Sequence, residues 1–419
     1  MGAEIILRRV ELRLAHEHRA AHGTVSTRPT LLVEFRQMHD GTAVSGWGEC
    51  PALPDPGYFH EYTDGAQAML TNLLIPAVAA GGSLSPDAVD AATAIAPGHP
   101  MARSALALAA EDLTARVERS TLSQRWGAVR DRLPPGTSVS ATIGTGPNSD
   151  AGLAELGKRA SVLAAAGYRR LKVKVSPSHD VAPLQAVIDS LRATGHANVQ
   201  VAADANGSYR PTQPAHADAL RRLDALGLAW IEQPFPAELL VDLARLVQRL
   251  DTPICLDESV TSLGQLRAAR ALGMRPVVCV KQARLGGPRA AREVLGWCRS
   301  HNFDAYVGGM LSSGIGRAAD RALAALPGAT LIGDIGADVE YFGADVTAPF
   351  AVSDDTVPVI ADPAVHGLGV TVSASAVARL TSESWRWTIE NGAPPAESRR
   401  HPPRRRSGAP APGPSRPRR

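Results

Sequence analysis

The chain has 419 residues, of which 44% are hydrophobic and 20% are charged, so it is long enough to form one large and one smaller globular domain. The net charge of +3 arises from the last residues, because 393–419 contain eight arginines and one acid and leave the rest of the chain at −4. The basic tail therefore says little about what the folded part binds, and neither nucleic acid nor a membrane is expected as a partner.

Two further classes are excluded by the distribution of apolar residues and cysteines. No run is apolar over the length of a bilayer-spanning helix, and the first residues do not have the order of a signal peptide. No cysteine–histidine spacing fits a zinc site. We therefore expect a cytoplasmic protein with four buried free thiols. The thiols are those of Cys50, Cys255, Cys279 and Cys298.

Residues 1–130 are predicted to form an α+β capping domain. Residues 1–50 alternate in the manner of strands, and 65–130 are rich in alanine and leucine at helical spacing. Strands followed by helices indicate an α+β arrangement.

Residues 131–344 have a different rhythm, in which short Val/Ile/Leu-rich runs alternate with amphipathic helical stretches. Repeated units of this kind predict a modified (β/α)8-type barrel, (β/α)7β-like, whose strands are parallel and buried on both faces. The eight runs are 138–143, 170–175, 199–203, 228–231, 253–256, 277–280, 305–307 and 330–332.

Residues 345–392 are predicted to return to the capping domain, with strands near 350–352 and 369–372. From 393 to 419, proline, arginine and alanine dominate, and too few apolar residues remain to offset the entropy of ordering the chain. This tail is expected to be disordered.

Polar residues stand at the same point of successive repeats. Because the carboxyl ends of barrel strands meet at one rim, these side chains are expected to converge. Three carboxylates in one cleft repel one another and need a cation, and oxygen ligands select Mg²⁺, with Mn²⁺ as a substitute. The residues are Lys172 and Lys174 in the second run, Asp204 and Asn206 after the third, Glu232 after the fourth, Asp257 and Glu258 after the fifth, and Lys281 after the sixth.

Lys172 and Lys174 are two residues apart, so in a strand both side chains point into the barrel. Partial burial, the neighbouring ammonium and the nearby metal favour the neutral amine, which makes Lys174 a usable base. Lys281 is expected to enter from the far side of the ring.

This ordered set closely resembles the enolase superfamily, in its muconate-lactonising branch. Within it, the segments are most similar to the o-succinylbenzoate synthase and N-acylamino acid racemase family, and the resemblance covers about residues 5–375. The resemblance implies a lysine base and one or two Mg²⁺ ions that stabilise an ene-diolate. The segments that carry it are 46–50, 231–234, 253–259, 308–310 and 314–318.

The resemblance also implies a role for each matching residue. Asp204, Glu232 and Asp257 would bind the metal. Lys174 and Lys281 would form an opposed acid–base pair, and Lys172 would assist Lys174. Asn206 and Glu258 would orient the ligands. The substrate contacts would be Arg19, Thr24, Thr142, Gly308, Gly309 and Met310.

The implied activity is abstraction of a proton next to the carboxylate of a small molecule. Dehydration to o-succinylbenzoate in menaquinone biosynthesis is the first reading, and racemisation of an N-succinyl or N-acyl amino acid is the alternative. Two departures leave the substrate open: Glu17-His18 replaces an expected Pro-Phe pair, and Thr142 replaces a usual serine. A homo-oligomer is expected.

Two alternatives belong to other classes. Residues 314–319 fit the dinucleotide fingerprint G-x-G-x-x-A, with Asp334 at a suitable distance, which would suggest an NAD-dependent oxidoreductase. No separate doubly wound sheet precedes the motif, so glycines that let a substrate approach the backbone explain it better. The arginines of the tail would suggest a polyanion-binding protein, but no aromatic residues are interleaved with them.

Overall fold

The computed structural model describes residues 2–20, 23–139, 149–338 and 341–389, and the side chains of 16–26 and 138–139 lie outside that description. The predicted tail, 393–419, and Thr142 also lie outside the described residues.

The capping domain is built on an antiparallel sheet of four strands. Its first three strands are β1 (Ala3–Ala20), β2 (Gly23–His39) and β3 (Thr42–Cys50). The last strand of the described residues, β13 (Thr381–Ile389), pairs with β1, so the order across the sheet is β13-β1-β2-β3. Asp40 and Gly41 both have positive φ between β2 and β3, as a two-residue hairpin turn of type I′ requires.

Helices cover one face of this sheet. They are α1 (Thr63–Met69), which continues through a π-helical turn (Leu70–Leu74) into α2 (Ile75–Ala80), then α3 (Pro86–Thr93), α4 (Pro100–Val117) and α5 (Leu122–Trp126). The alanine-rich α4 packs closely on β3, since a Cβ at Gly48 would overlap the carbonyl oxygen of Ala105.

The second domain contains seven parallel strands in sequential order, with helices between them. A two-stranded pair, β4 (Arg132–Leu133) and β12 (Val357–Pro358), lies outside this sheet. The strands are β5 (Gly136–Val139), β6 (Arg170–Lys174), β7 (Gln200–Asp204), β8 (Ile231–Glu232), β9 (Ile254–Leu256), β10 (Val277–Val280) and β11 (Ala305–Val307). The helices are α6 (Asp150–Ala165), α7 (Val181–Ala193), α8 (Pro214–Asp224), α9 (Leu240–Val247), α10 (Leu263–Ala271), α11 (Gln282–Leu285), α12 (Pro288–Ser300) and α13 (Gly314–Ala324), and α14 (Ala374–Leu380) follows in the return segment.

The prediction of an eighth strand at 330–332 is wrong, although this segment lies where a strand would close the barrel. The backbone of Leu331 donates to the carbonyl of Ala305 on β11 at 3.0 Å, and Gly136 on β5 donates to the carbonyl of Ile335 at 3.1 Å. An irregular segment therefore bridges the two edge strands of the seven-stranded sheet.

The return segment also differs from its prediction. Residues 350–352 and 369–372 form no strand, and the strand appears later, at Thr381–Ile389, where it covers the edge of β1 from Ala3 opposite Ile389. The second half of this strand alternates, with Trp385, Trp387 and Ile389 packed on the core of the cap and polar residues between them, whereas its first half is polar and largely exposed.

Two predictions made from composition concern the cysteines and the membrane. All four cysteines are buried and free, as predicted. None of the helices in the described ranges combines the length and apolar character needed to cross a membrane.

The contact between β3 and α4 generates a test of the cap. Gly48→Ala should lower the free energy of unfolding by about 1–3 kcal/mol, because the backbone of α4 cannot move away without opening the core. Gly296→Ala is the matched control: residue 296 is exposed in the middle of α12 with open space around it, so alanine should stabilise by up to about 1 kcal/mol. Denaturant unfolding followed by circular dichroism measures both; equal effects would contradict the close packing described.

Candidate active site at the rim of the barrel

The predicted polar residues meet at the carboxyl ends of the barrel strands. Lys174, Asp204 and Glu232 are the last residues of β6, β7 and β8, and Lys174 pairs in register with Asp204, which pairs with Glu232. Asp257 and Lys281 directly follow β9 and β10. The repeat spacing of the sequence thus becomes one continuous arc of side chains.

One end of this arc is organised around Asp204. The Lys174 Nζ donates to Asp204 Oδ2 at 2.7 Å and to Asn206 Oδ1 at 2.8 Å. The Asn206 amide then donates to Glu258 Oε1 at 3.0 Å, while the Glu258 Oε2 atom is buried with no hydrogen-bond partner among the described residues. Asn206 therefore connects Lys174 to Glu258, and the orienting role of both side chains stays a prediction.

The other end is organised around Asp257. The Lys281 Nζ donates to Asp257 Oδ2 at 2.7 Å and to the Tyr58 hydroxyl at 3.1 Å. Arg284 donates to Asp257 Oδ1 at 2.6 Å, and its Nη1 reaches the same Tyr58 hydroxyl at 3.2 Å. Lys174 and Lys281 are thus held by two different carboxylates.

Lys172 lies below the rim and contacts Asp204 at one end of the arc and Glu232 in its middle. Its Nζ is 2.6 Å from Glu232 Oε1, 3.3 Å from Asp204 Oδ2 and 3.1 Å from Asp334 Oδ2. The side chain is 2% exposed, against 18% for Lys174. Lys172 is therefore an internal counter-charge, whereas Lys174 reaches the cleft.

The charges of these groups shift one another strongly. Burial lowers the pKa of Lys172, but the carboxylates of Asp334, Glu232 and Asp204 outweigh it, and the pKa lies well above its usual range. Lys281 behaves in the same way: burial lowers its pKa, and the Asp257 carboxylate raises it well above its ordinary value.

The acids are shifted in different directions. Burial raises the pKa of Asp257, but Arg284 and Lys281 more than offset this and hold it well below its usual range. Burial raises the pKa of Glu258 to about 7, and the charges of Asp257 and Asp204 add to the shift. The site therefore combines a firmly ionised acid with one that binds a proton near neutral pH.

The donor set fits a hard divalent cation. Ligand atoms of Glu232, Asp257 and Cys279, all buried, lie within 4.8 Å of one another. Burial raises the pKa of the Cys279 thiol well above its usual range, so oxygen atoms are the better ligands, and hard ions prefer them. Asp204 is not in that group, but Lys172 links it to Glu232. The three acids predicted to bind a metal thus offer carboxylate oxygens along one arc.

The backbone is strained at two of these strand ends. Asn206 and Gln233 both have positive φ without being glycine, and Gly207 donates its backbone N–H to the Gln233 carbonyl at 2.7 Å. Such conformations cost about 1–3 kcal/mol each and cluster at functional sites. Gln233 is further fixed by the backbone N–H groups of Asp257 and Ser259, which donate to its side-chain oxygen at 3.0 and 3.1 Å.

The predicted substrate contacts are brought to the site only in part. Gly308 and Met310 line a small cavity together with Lys281 and with Glu49 and Pro51 of the cap, and Gly309 lies half-buried between them. A Cβ at Gly308 would lie 2.5 Å from Cys279 Sγ and 2.9 Å from Lys281 Cε, so Gly308 leaves room for the lysine.

Two of the remaining predicted contacts lie on the hairpin formed by β1 and β2. Arg19 and Thr24 are partners in the register of that hairpin, but their side chains lie outside the description. Thr142 lies outside the described residues.

The dinucleotide reading of 314–319 is wrong. The Glu49 carboxylate accepts from the backbone of Ser313 at 2.9 Å and of Gly316 at 3.0 Å, and Asp345 accepts from Gly314 at 2.8 Å. Two protein carboxylates thus fill the N-terminus of α13, where a phosphate would have to lie.

Three contacts of the site were missed from the sequence. Tyr58 comes from a loop of the cap and carries no repeat signal. Arg284 lies one helical turn after Lys281 and was not considered. Asp334 was noted only for its distance from the dinucleotide fingerprint, although its place just after the eighth run indicated the rim position, where it binds Lys172 and Arg170.

Comparison with known proteins shows the family of this chain. The family model "Enolase C-terminal domain-like" matches residues 155–376. The N-succinylamino acid racemase of an Amycolatopsis species is 38% identical over 364 residues, which cover 87% of this chain and 93% of that protein. The o-succinylbenzoate synthase of Bacillus subtilis (strain 168) is 32% identical over 371 residues, covering 88% and 94%.

A solved structure shares both domains. The Listeria innocua protein described as a member of the enolase superfamily superposes with a TM-score of 0.82 at 27% identity, covering 93% of this chain and 99% of that chain. A capped barrel with carboxylates and amines on its rim defines a barrel enzyme whose site lies under the cap. The chain belongs to the enolase superfamily, among relatives named as o-succinylbenzoate synthases and N-succinylamino acid racemases.

The cavity beside Lys281 generates a second test. Gly308→Ala should lower turnover of the substrates of those relatives by about tenfold or more, because the added methyl group displaces the Lys281 side chain and misplacements of this size are costly in catalysis. The control is Gly296→Ala on the exposed side of α12, which should stay within about twofold of the unsubstituted protein, since a methyl group there meets no atom. Steady-state kinetics with circular dichroism as a folding check measures both; similar losses in the two variants would contradict this role of Gly308.

Proposed function

We propose that this enzyme abstracts the proton next to the carboxylate of a small molecule, with Asp204, Glu232 and Asp257 as ligands of Mg²⁺ and Lys174 and Lys281 as the acid–base pair. The observation that carries the proposal is the separate attachment of the two amines: Lys174 to Asp204 and Lys281 to Asp257. Two amines held on different carboxylates of one arc are arranged to approach a bound carbon from two directions.

The three carboxylates would hold the Mg²⁺ ion, and Mn²⁺ is expected to bind in its place. When bound there, a divalent cation supplies positive charge for the substrate carboxylate and for the negative charge that develops as the α-proton leaves. The Glu258 Oε2 atom beside Asn206 has no hydrogen-bond partner in the part of the chain that the structure describes, which supports a site completed by further polar groups.

The three lysines have different roles because they lie at different depths in the barrel. Lys172 is enclosed by three carboxylates and the Tyr306 hydroxyl, so it serves as a fixed positive charge that assists Lys174. Lys174 has two partners and reaches the cleft, so it takes the α-proton. Lys281 faces it from the strand that bears Cys279.

Two reactions use this machinery. In o-succinylbenzoate synthesis, which we propose first, Lys174 removes the α-proton and returns a proton to the departing β-hydroxyl, which leaves as water, while Lys281 stays protonated beside the intermediate. In racemisation of an N-succinyl amino acid, Lys281 delivers a proton to the opposite face. The relative at 38% identity that is named as a racemase favours keeping this second candidate.

The choice between the two reactions is tested in D₂O with Mg²⁺. The protein is supplied separately with the cyclohexadiene precursor of o-succinylbenzoate and with an N-succinyl amino acid, and both dehydration and α-deuteration are followed by NMR. Dehydration is the expected result. Deuteration with inversion and no dehydration would replace the synthase by the racemase, and neither reaction would defeat the proposal.

The lysine roles are tested by substitution. Lys174→Ala should lower dehydration about 10²- to 10⁴-fold, because Lys174 is the more exposed of the two amines that contact Asp204. Lys281→Ala should abolish racemisation but leave deuteration of one enantiomer, since Lys174 still exchanges its own proton. The control is Lys158→Ala on the exposed side of α6, which should change nothing. Retained turnover in the Lys174 variant would overturn the assignment of the base.

Removal of divalent ions is the third test of the proposal. Dialysis against a chelator should abolish turnover, and added Mg²⁺ or Mn²⁺ should restore it, because without a cation the substrate carboxylate would meet three acids. Full activity after verified removal of metal would contradict the role of Asp204, Glu232 and Asp257.

A further inference from the structure

Beneath the rim, the interior of the barrel contains two aromatic residues that contact a predicted metal ligand. Trp230 lies two residues before Glu232 on the same side of the chain, and Tyr306 projects inward from β11. Their rings stack at a centroid distance of 5.2 Å. Both side chains are buried and carry a single polar hydrogen.

Both hydrogens are directed at the same atom. The Trp230 Nε1 donates to Glu232 Oε2 at 3.1 Å, and the Tyr306 hydroxyl donates to that oxygen as well. The other oxygen, Oε1, accepts from the Lys172 ammonium. The two oxygens of one carboxylate are therefore not equivalent: Oε2 is bound to two neutral donors inside the barrel, and Oε1 faces the charged groups of the site.

We infer that Trp230 and Tyr306 are positioning residues that fix the Glu232 carboxylate so that it offers one oxygen, Oε1, to the divalent ion. Two donors occupy Oε2 and prevent the carboxylate from turning to bind the ion through both oxygens. Fixing this rotation before the ion arrives removes an ordering cost from binding, which is how groups behind a ligand tune metal affinity. The inference rests on the proposed function in taking Glu232 as a ligand.

A buried cation strengthens the two donors. The Arg170 guanidinium lies over both rings, 5.3 Å from the Trp230 centroid and 5.2 Å from the Tyr306 centroid. Its Nε donates to the carbonyl of Ile332 at 2.9 Å and its Nη2 donates to Asp334, while its Nη1 is buried with no hydrogen-bond partner in the described residues. A cation over the rings draws charge from them and makes their N–H and O–H groups better donors.

The experiment measures ion binding, which does not require turnover. Tyr306→Phe and Trp230→Phe each keep an aromatic ring and remove one donor, so each should weaken the Mn²⁺ affinity measured by calorimetry about tenfold. Tyr209→Phe is the matched control, because Tyr209 is buried and its hydroxyl donates to Asp180, outside the site, at 3.4 Å. Its Mn²⁺ affinity should stay within about twofold of the unsubstituted protein, as expected when no group behind a metal ligand is changed.

Thermal unfolding of the metal-free variants separates positioning from mere packing. A lower melting temperature with unchanged Mn²⁺ affinity in Tyr306→Phe and Trp230→Phe would overturn the inference, because both residues would then only fill the barrel. If Tyr306→Phe does not fold, Trp230→Phe decides by the same criterion. Failure of the unsubstituted protein to bind Mn²⁺ would defeat the proposed function itself, whereas equal binding by all variants would defeat only the role of Trp230 and Tyr306.

Discussion

Burial of opposite charges on one rim is the constraint that shapes this molecule. Asp204, Glu232 and Asp257 are almost fully buried, and an isolated charge in such a place would cost several kcal/mol. Each acid is therefore held by an ammonium or guanidinium group, and removing one partner leaves the other uncompensated. An ion that binds these acids competes with the lysines for the same oxygens, so metal binding and the freedom of the amines are coupled.

The cap takes part in this constraint through buried charges of its own. Arg28 on β2 is fully buried and donates to the carbonyl of Ala52 at 2.6 Å and to those of Met310 and Leu311 at 3.3 and 3.4 Å. Glu49, at the end of β3, accepts from the start of α13. One cation and one anion of the cap thus hold the barrel loop that lies beside Lys281, which explains why the cavity is lined by both domains.

Sequence reasoning succeeds where the fold is periodic and fails where it is not. The rim residues follow from βα repeats about 24–30 residues apart and from the two-residue period of strands, both of which are visible without a structure. Tyr58 reaches Lys281 from a loop whose course only tertiary packing determines. The closing segment at 330–335 looked like a strand because it is apolar, but its hydrogen bonds to β11 and β5 are irregular. The strand at Thr381–Ile389 was missed although Trp385, Trp387 and Ile389 alternate with polar residues, because this alternation spans only its last five residues and its first half is polar.

The same two-residue period of strands places buried side chains directly beneath those of the rim. On β6, Arg170, Lys172 and Lys174 point into the barrel at successive levels, and their exposure rises from 0% and 2% to 18%. Trp230, which directly precedes β8, lies two residues before Glu232 in the same way. Trp230 donates to Glu232, and Lys172 contacts Asp204, which also holds Lys174, so a substitution of either lower residue alters a group of the rim. Lys172 and Trp230 therefore act on the rim from inside the barrel, two residues before Lys174 and Glu232, and both are almost fully buried.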